Sequence, residues 1–237
     1  MTQDIKQAGP KGALIVGAGE GLSASIARKL AAAGFRLALA ARNTDKLSGL
    51  VSEIKGSAFV CNASEPGDVS RMFSKVADCM DRLDVVIFNA SARVRGPIAE
   101  LDPIEVQQAL QTTAFGGFLV GREAAQIMEP RGSGTILFTG ATAGVKGFAQ
   151  SAAFAMGKFA LRGLAQSMAR ELGPKGIHVA HIIIDGGIRS SRNHDSHDQT
   201  DKFLDPDAIA DAYMHLISQP RSVWTHELDV RPWVEHF

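Results

Sequence analysis

The segment SAAFAMGKFALRG, residues 151–163, places a cationic side chain beside a ring that cannot exchange a proton. The segment has the pattern of an amphipathic helix, and Phe154 and Lys158 are four residues apart, so they share one face of it. An ammonium group donates up to three hydrogen bonds, whereas a phenyl ring neither gives nor takes a proton. Whatever Lys158 binds, it binds beside an inert neighbour. The alternative is an exposed helix lysine that binds nothing.

A glycine-rich loop, GAGEGLS, follows the first apolar run of the chain. Gly17, Gly19 and Gly21 permit a tight turn and let backbone N–H groups approach a pyrophosphate at the start of the next helix. The spacing fails as G-x-G-x-x-G because the sixth position is Leu22, and it matches G-x-x-x-G-x-G with Ser23 as the third member. We predict that the loop binds a dinucleotide. A glycine-rich turn without a ligand is the alternative.

The end of the second predicted strand, Ala40-Ala41-Arg42, indicates which dinucleotide is bound. An acidic residue there would accept a hydrogen bond from the ribose 2′-OH of NAD, whereas a guanidinium suits the 2′-phosphate of NADP. Glu20, in the glycine loop, would oppose that phosphate. We predict NADP(H) over NAD(H), with a solvated charge at a helix entry as the alternative role of Arg42.

Seven short β-rich runs alternate with helical patterns along the chain. Strands are predicted at 13–17, 36–41, 57–61, 84–90, 134–140, 178–185 and 227–230, and helices at 21–33, 44–54, 66–80, 103–128, 150–172 and 206–218. This alternation implies right-handed crossovers and a sheet covered on both faces. We predict an α/β fold of the Rossmann type, a doubly wound, mainly parallel seven-stranded sheet in three layers, α/β/α. One domain is expected over 1–237, with a lid-like excursion near 186–203.

The composition argues against several classes of function. The chain has 25 Lys and Arg against 25 Asp and Glu, so its zero net charge does not attract nucleic acid or an anionic membrane. No segment approaches the ~18 apolar residues of a membrane span. Cys61 and Cys79 lie outside any CxxC pair, which argues against a disulfide framework and a zinc site. We expect a cytoplasmic protein with a small-molecule substrate, reduced and buried cysteines, and no metal.

With the glycine loop, FNAS (88–91), FAMGK (154–158) and DGGIRS (185–190) in this order, the chain resembles the short-chain dehydrogenase/reductase superfamily over about residues 11–230. The resemblance implies an NAD(P)-dependent oxidoreductase that transfers a hydride to or from a small carbonyl, alcohol or activated alkene. It also implies a catalytic tetrad of tyrosine, lysine, serine and asparagine. By motif, Lys158 is the lysine, while Phe154, Ala141 and Thr113 occupy the other three positions. The chain therefore looks like an atypical branch with an incomplete tetrad.

The resemblance assigns a second set of residues to the cofactor. Asn89 and Ala90 match the family's NNAG motif, and Asn62 stands where the family has an aspartate near the adenine. The backbone of Ile188 is expected to meet the nicotinamide carboxamide. The full implied set consists of Gly17, Gly19, Glu20, Gly21, Leu22, Arg42, Asn62, Ala63, Asn89, Ala90, Ser91, Lys158, Gly186, Ile188 and Ser190.

The missing tyrosine leaves the proton source open. His178 and His181 alternate with apolar residues along a strand, and they are predicted to serve packing, as is Tyr213, the one tyrosine. The other candidates are Thr142, Ser151, Asp185, His194 and His197. Two functions therefore remain, namely an oxidoreductase with an unconventional proton source and a non-catalytic dinucleotide-binding protein that acts as a sensor or scaffold.

Small residues on two predicted helices bear on assembly. They are Gly116, Gly117, Gly121, Ala152, Ala155, Gly157, Ala160 and Gly163. In the family the corresponding helices form a dimer interface, so the resemblance implies a homodimer or homotetramer. The alternative is that these residues fit the helices onto the sheet.

Overall fold

Seven parallel strands form the centre of the molecule, seen in a computed structural model that describes residues 9–190, 193 and 201–235. They are β1 (Gly12–Val16), β2 (Arg36–Ala41), β3 (Ser57–Val60), β4 (Val85–Phe88), β5 (Gly134–Thr139), β6 (Ile177–Ile184) and β7 (Glu227–Val230). The order across the sheet is β3-β2-β1-β4-β5-β6-β7, and every neighbouring pair is parallel. The strand order reverses between β1 and β4, which makes this the topological switch point. The predicted seven-stranded sheet is confirmed.

Helices cover both faces of the sheet. They are α1 (Leu22–Ala32), α2 (Ser48–Ile54), α3 (Pro66–Cys79), α4 (Pro103–Leu110), α5 (Gly116–Met128), α6 (Ala152–Leu172) and α7 (Pro206–Ser218). Buried side chains of α3, α5 and α6 pack on one face, and those of α1, α2 and α7 pack on the other. Strands covered on both faces are nearly continuous apolar runs, and all eight residues of β6 are buried. The predicted α/β/α layering is confirmed.

The helix predicted over 103–128 contains one turn of wider winding. A π-turn, Gln111–Phe115, separates α4 from α5 and contains the buried Thr113. The Oγ1 of Thr113 accepts a hydrogen bond from the backbone N–H of Ala92 at 3.1 Å, and Gly157 of α6 lies against the same side chain. The chain is helical over the whole predicted range 103–128, so the helix is confirmed, and the π-turn within it was not predicted because apolar periodicity tolerates one extra residue in a turn. Such π-turns are frequent at functional sites.

The segment after β6 is described in part. Ile188 forms an isolated bridge with Leu204, and the backbone N–H of Leu204 donates to the carbonyl of Gly187 at 2.8 Å. Residues 191–192 and 194–200, which include the candidates His194 and His197, lie outside the described residues. The lid-like excursion near 186–203 therefore stays a prediction.

Three of the small residues on α5 are used inside the molecule. A Cβ on Gly117 would lie 2.4 Å from Leu161, one on Gly121 would lie 2.9 Å from Met168, and one on Gly116 would lie 2.9 Å from the carbonyl of Ala63. These glycines let α5 approach α6 and the chain at Ala63, and the implied dimer interface stays a prediction.

The two cysteines differ in their exposure to solvent. Cys61 is buried, but Cys79, at the end of α3, is exposed, so the expectation of two buried cysteines was wrong. Among the described residues, no helix combines the length and apolarity needed to cross a bilayer.

Candidate cofactor and active site

Two cavities adjoin at the carboxyl end of the sheet. The larger, of about 800 Å³, lies between the glycine loop, the ends of β5 and β6, and the start of α6. The smaller, of about 340 Å³, lies beyond the ends of β1 and β2. Gly17, Asn89 and Ser91 line both cavities, which therefore meet at the switch point between β1 and β4. Open parallel sheets bind their ligands in this crevice.

The glycine loop turns sharply and leaves open space in front of α1. Gly17 has φ +84°, and a Cβ there would lie 2.4 Å from the backbone nitrogen of Ala90, so the chain needs glycine at this position. A Cβ on Gly19 or Gly21 would meet nothing within 4 Å. Within the described chain, no side chain caps the N-terminus of α1. Its first backbone N–H groups are thus available to an anion such as a pyrophosphate.

Asn89 and Ser23 hold the shape of this loop. The side-chain amide of Asn89 donates to Ser23 Oγ at 2.7 Å and to the carbonyl of Gly17 at 3.3 Å. Ser23 Oγ in turn donates to the same carbonyl at 3.2 Å. The sequence indicated Ser23 as the third member of a glycine pattern, and its hydrogen bonds depend on a residue 66 positions away.

The smaller cavity has a cationic side chain at its edge. Arg42 is exposed and lines this cavity, and within the described residues its guanidinium forms neither an ion pair nor a hydrogen bond. Asn62 also lines it, with its backbone N–H held by Asp68 at 3.1 Å and its side-chain oxygen accepting from Ser64 at 2.9 Å. Ala63, Ala90 and Ser91 complete the wall. The cavity can accept a phosphate at Arg42.

Lys158 lies at the base of the larger cavity and is only 3% exposed. Its ammonium donates to the backbone carbonyl of Thr139 at 2.7 Å. Burial, with a smaller contribution from the nearby charge of Arg93, lowers the pKa of Lys158 from 10.5 to about 7. The alternative of an exposed helix lysine was therefore wrong.

Phe154 is 8% exposed and forms part of the wall of the larger cavity. The guanidinium carbon of Arg93 lies 4.3 Å from the centre of its ring, and Lys158 Nζ lies 5.8 Å from the same centre. Ala141 lines the cavity as well. Arg93 was not among the predicted site residues, although the two arginines in ARVR, directly after the FNAS motif, were a signal for it.

Three further polar side chains of the larger cavity differ in whether they are free to form a hydrogen bond with a ligand. Thr142 Oγ1 donates to Asp185 at 2.5 Å, and the other oxygen of Asp185 lies 3.5 Å from Arg231. Ser151 is buried and lines the cavity, and within the described residues its hydroxyl has no hydrogen-bond partner. Ser151 is thus a buried hydroxyl left free to meet a ligand, whereas Thr142 is already paired; the exposed Ser91 also lines the cavity without a side-chain partner in the described residues.

The remaining site candidates are divided between the cavities and the surrounding fold. Leu22, Gly186 and Ile188 line the larger cavity, whereas Glu20, Thr113 and Ser190 line neither of the two. Glu20 and Ser190 are exposed, and Thr113 contacts the backbone of Ala92 instead.

The histidines of β6 and Tyr213 take part in packing. His178 Nε2 contacts the carbonyl of Thr225 at 2.8 Å and its ring stacks on Trp224, while His181 is fully buried with Nδ1 at 3.2 Å from Glu227. Burial lowers the pKa of both rings, that of His181 to about 4. Tyr213 shares a 2.8 Å hydrogen bond with Thr139, and burial raises the pKa of its hydroxyl. No cluster of three metal-ligating side chains occurs in the described part of the chain.

The chain matches a known protein family over most of its length. Residues 11–201 match the family model of the short chain dehydrogenases. An uncharacterised oxidoreductase of Staphylococcus aureus (strain MRSA252) is 25% identical over 227 residues, which cover 93% of this chain and 96% of that protein.

Two solved structures have the same fold along nearly the whole chain. A short-chain dehydrogenase from Rhodopseudomonas palustris is 39% identical with a TM-score of 0.81, covering 94% of this chain and 99% of its own. A metagenomic short-chain oxidoreductase in complex with NADP is 28% identical with a TM-score of 0.82, covering 94% and 98%. Together with the glycine loop at the switch point of a parallel sheet, these matches establish that the chain belongs to the short-chain dehydrogenase/reductase superfamily of oxidoreductases.

Proposed function

We propose that the protein is an NADP(H)-dependent oxidoreductase that reduces a small carbonyl compound or activated alkene, or oxidises the corresponding alcohol. The observation that carries this proposal is the pair of adjoining cavities, with an uncapped helix N-terminus and glycine loop between them and Lys158 buried at the base of the larger one. The metagenomic relative that is 28% identical binds NADP in the same fold.

The residues present fit a nicotinamide dinucleotide. The open space before Gly19 and Gly21 and the free N–H groups of α1 suit its pyrophosphate. Arg42 would take the 2′-phosphate, and Asn62 lies in the smaller cavity where the adenine would fit. Ile188 lines the larger cavity, on the side proposed for the nicotinamide.

A dinucleotide bound there supplies or accepts the hydride, and the chain supplies position and polarity. Lys158, fixed by Thr139, is placed to donate to ribose hydroxyls from the base of the cavity. Phe154 and Ala141 form an apolar wall where a tyrosine and a serine stand in the family pattern. We propose that the free hydroxyl of Ser151 donates a hydrogen bond to the substrate oxygen, while Thr142 stays paired with Asp185.

A non-catalytic dinucleotide-binding protein is the second candidate. Phe154 and Ala141 favour it, because neither side chain can hold or move a proton. Loss of a positioned general acid slows a reaction by roughly 10²- to 10⁴-fold and leaves hydride transfer possible. The two functions therefore differ in rate and not in cofactor binding.

The test measures binding and turnover on the same protein. NADPH and NADH are titrated separately by cofactor fluorescence, and oxidation of bound NADPH is then followed with a panel of aldehydes, ketones and enones. Turnover that Ser151→Ala reduces about 2- to 10-fold, the worth of one hydrogen bond, supports the oxidoreductase with Ser151 as donor. Tight NADPH binding with no oxidation by any compound supports the non-catalytic candidate.

A double variant, Ala141→Ser with Phe154→Tyr, is the complementary arm. It places two hydroxyls beside a lysine that can lower the pKa of the new tyrosine, so carbonyl reduction is expected to rise by up to ~10²- to 10⁴-fold. A fall in turnover on this double change would show that the native reaction is built around the phenylalanine.

A further inference from the structure

Two arginines enter the larger cavity from the segment that follows β4. Arg93 and Arg95 both line the cavity, and within the described residues neither guanidinium forms a hydrogen bond or an ion pair with another side chain. Both side chains are exposed, and desolvation by the surrounding wall, together with the charge of Arg95, lowers the pKa of Arg93. The two cations are thus held near each other without an internal anion to offset them.

The segment that carries them is fixed at both ends. The backbone N–H of Ala92 donates to Thr113 Oγ1 at 3.1 Å, and that of Gly96 donates to the carbonyl of Gln150 at 3.2 Å. Gln150 itself adopts φ +60°, a left-handed conformation that non-glycine residues rarely take. Both anchors hold the arginine segment over the cavity, and a pre-positioned site loses less entropy when a ligand binds.

Phe154 supports the nearer of the two cations. The guanidinium of Arg93 lies over its ring at 4.3 Å, a distance at which a cation and an aromatic face attract each other. The ring covers one face of the guanidinium and leaves its N–H edge available. The aromatic ring at position 154 therefore serves as a platform for Arg93.

The other charged groups of the cavity do not neutralise this pair. Lys158 adds a partly protonated amine, and Asp185 is already engaged by Thr142 and Arg231. Glu235 is the other acidic residue in the described part of the wall, and no ion pair there joins it to either arginine. Among the described lining residues, the cationic groups therefore outnumber the unpaired carboxylate of Glu235 where the substrate would lie.

We propose that this site takes an anionic substrate, a carboxylate or a phosphate ester, whose charged group is bound by the guanidinium forks of Arg93 and Arg95. A planar guanidinium can pair with either group through two parallel hydrogen bonds. The proposal rests on the proposed oxidoreductase function for turnover, and its binding part stands apart from it. In such a complex the carbonyl of the substrate lies deeper than its charged group, towards Lys158.

The test uses the full chain loaded with NADPH and two matched pairs of probes. Acetoacetate is compared with methyl acetoacetate, and dihydroxyacetone phosphate with dihydroxyacetone, by calorimetric binding and by kcat/KM. Each anion is expected to bind more tightly than its neutral partner. Arg93→Met, which keeps an apolar stem on Phe154, is expected to weaken anion binding about 10- to 100-fold, the value of a charge-assisted pair. Arg36→Met, an exposed arginine at the start of β2, is the matched control and should change nothing.

The outcomes separate this inference from the proposed function. Anion binding that depends on Arg93, without NADPH oxidation, upholds the inference and removes the oxidoreductase. Equal kcat/KM for anionic and neutral probes upholds the oxidoreductase and overturns the inference. A parallel loss of NADPH affinity in Arg93→Met also overturns it, because the arginine would then serve the cofactor. Failure of both anions and of inorganic phosphate to bind overturns it as well. The anion that loses more affinity in the variant shows whether carboxylate or phosphate is the natural group.

Discussion

Lys158 shows what burial does to a single charge in this site. The side chain extends from α6 to the end of β5, where the carbonyl of Thr139 accepts from it and no carboxylate of the described residues forms an ion pair with it. The desolvation of the ammonium is therefore not offset, and its pKa falls to about 7. Near neutral pH this lysine has both protonation states available. Ribose hydroxyls, which accept from the ammonium and donate to the amine, suit either one.

This pKa predicts a pH dependence of stability. Between about pH 7 and about pH 10, the unfolded chain binds a proton at Lys158 that the folded chain has released, so the free energy of unfolding rises with pH over this window. Lys158→Met removes that rise. The measurement is the urea midpoint of the cofactor-free protein at both ends of the window, compared with wild type and with Lys46→Met, an exposed lysine as control. Parallel pH profiles for wild type and Lys158→Met would contradict the lowered pKa.

The proposed preference for NADP(H) over NAD(H) depends on Arg42. Its guanidinium lines the smaller cavity without an ion pair in the described part of the chain, so a 2′-phosphate would be its partner. Arg42→Ala is expected to weaken NADPH about 10- to 100-fold and to leave NADH unchanged. Titration of both cofactors by fluorescence measures this, with Arg36→Ala as control. Equal affinities of the wild type for the two cofactors would refute the preference for NADP(H).

The glycine loop shows how one short element serves both folding and binding. Gly17 is required by the fold, because its positive φ and its approach to Ala90 leave no room for a side chain. Gly19 is under neither constraint, since a Cβ there points into open space. Glycine is therefore present for two different physical reasons at positions only two residues apart, and substitutions can separate these reasons.

We predict that Gly19→Ala keeps the thermal midpoint of the cofactor-free protein and weakens NADPH binding, because the added methyl occupies the space proposed for the pyrophosphate. Gly17→Ala is expected to lower the thermal midpoint, since an alanine at this φ is strained and its Cβ overlaps the backbone of Ala90. Calorimetric scans with and without NADPH measure both effects. Unchanged NADPH affinity in Gly19→Ala would show that no ligand lies against the loop.

Across the whole molecule, one sheet runs from β3 at one edge to β7 at the other with a core on each face, which supports the proposal of a single domain over 1–237.

Several large apolar side chains on the outer surface are exposed. Phe115 and Phe118 stack with ring centres 6.0 Å apart on one helical segment, and Met156 and Phe159 are about half exposed on α6. Large exposed apolar side chains on neighbouring helices are typical of an interface. We propose that a second copy of the chain covers these side chains.

Light scattering at micromolar concentration is therefore expected to give at least twice the chain mass of 25.2 kDa. Phe118→Glu combined with Phe159→Glu should shift the mass to that of the monomer, because the interface would bury two charges without partners. Val60→Glu, a 69% exposed apolar residue on the edge strand β3, is the control and should leave the assembly intact. A monomeric wild type would disprove the proposal.

Much of the fold followed from local patterns. Strands such as β6 are continuous apolar runs, and helices such as α7 begin at an Asp-Pro pair, so their types and order needed no long-range information. The motifs GAGEGLS, FNAS and FAMGK indicated the family and placed Lys158, Phe154 and the cofactor loop in one cleft. These features depend on residue type and spacing along the chain, which the sequence contains.

Other features depend on contacts between distant residues, and only folding decides them. The burial of Lys158 against Thr139, the stacking of Arg93 on Phe154 and the pairing of Thr142 with Asp185 join residues 19 to 61 positions apart. The π-turn at Thr113 arises where α4, α6 and the arginine segment pack together, which apolar periodicity does not register. Sequence patterns report the preference of each segment. The burial and charge of a side chain, and whether the hydroxyl of Ser151 finds a partner, depend on the residues of other segments that pack around it.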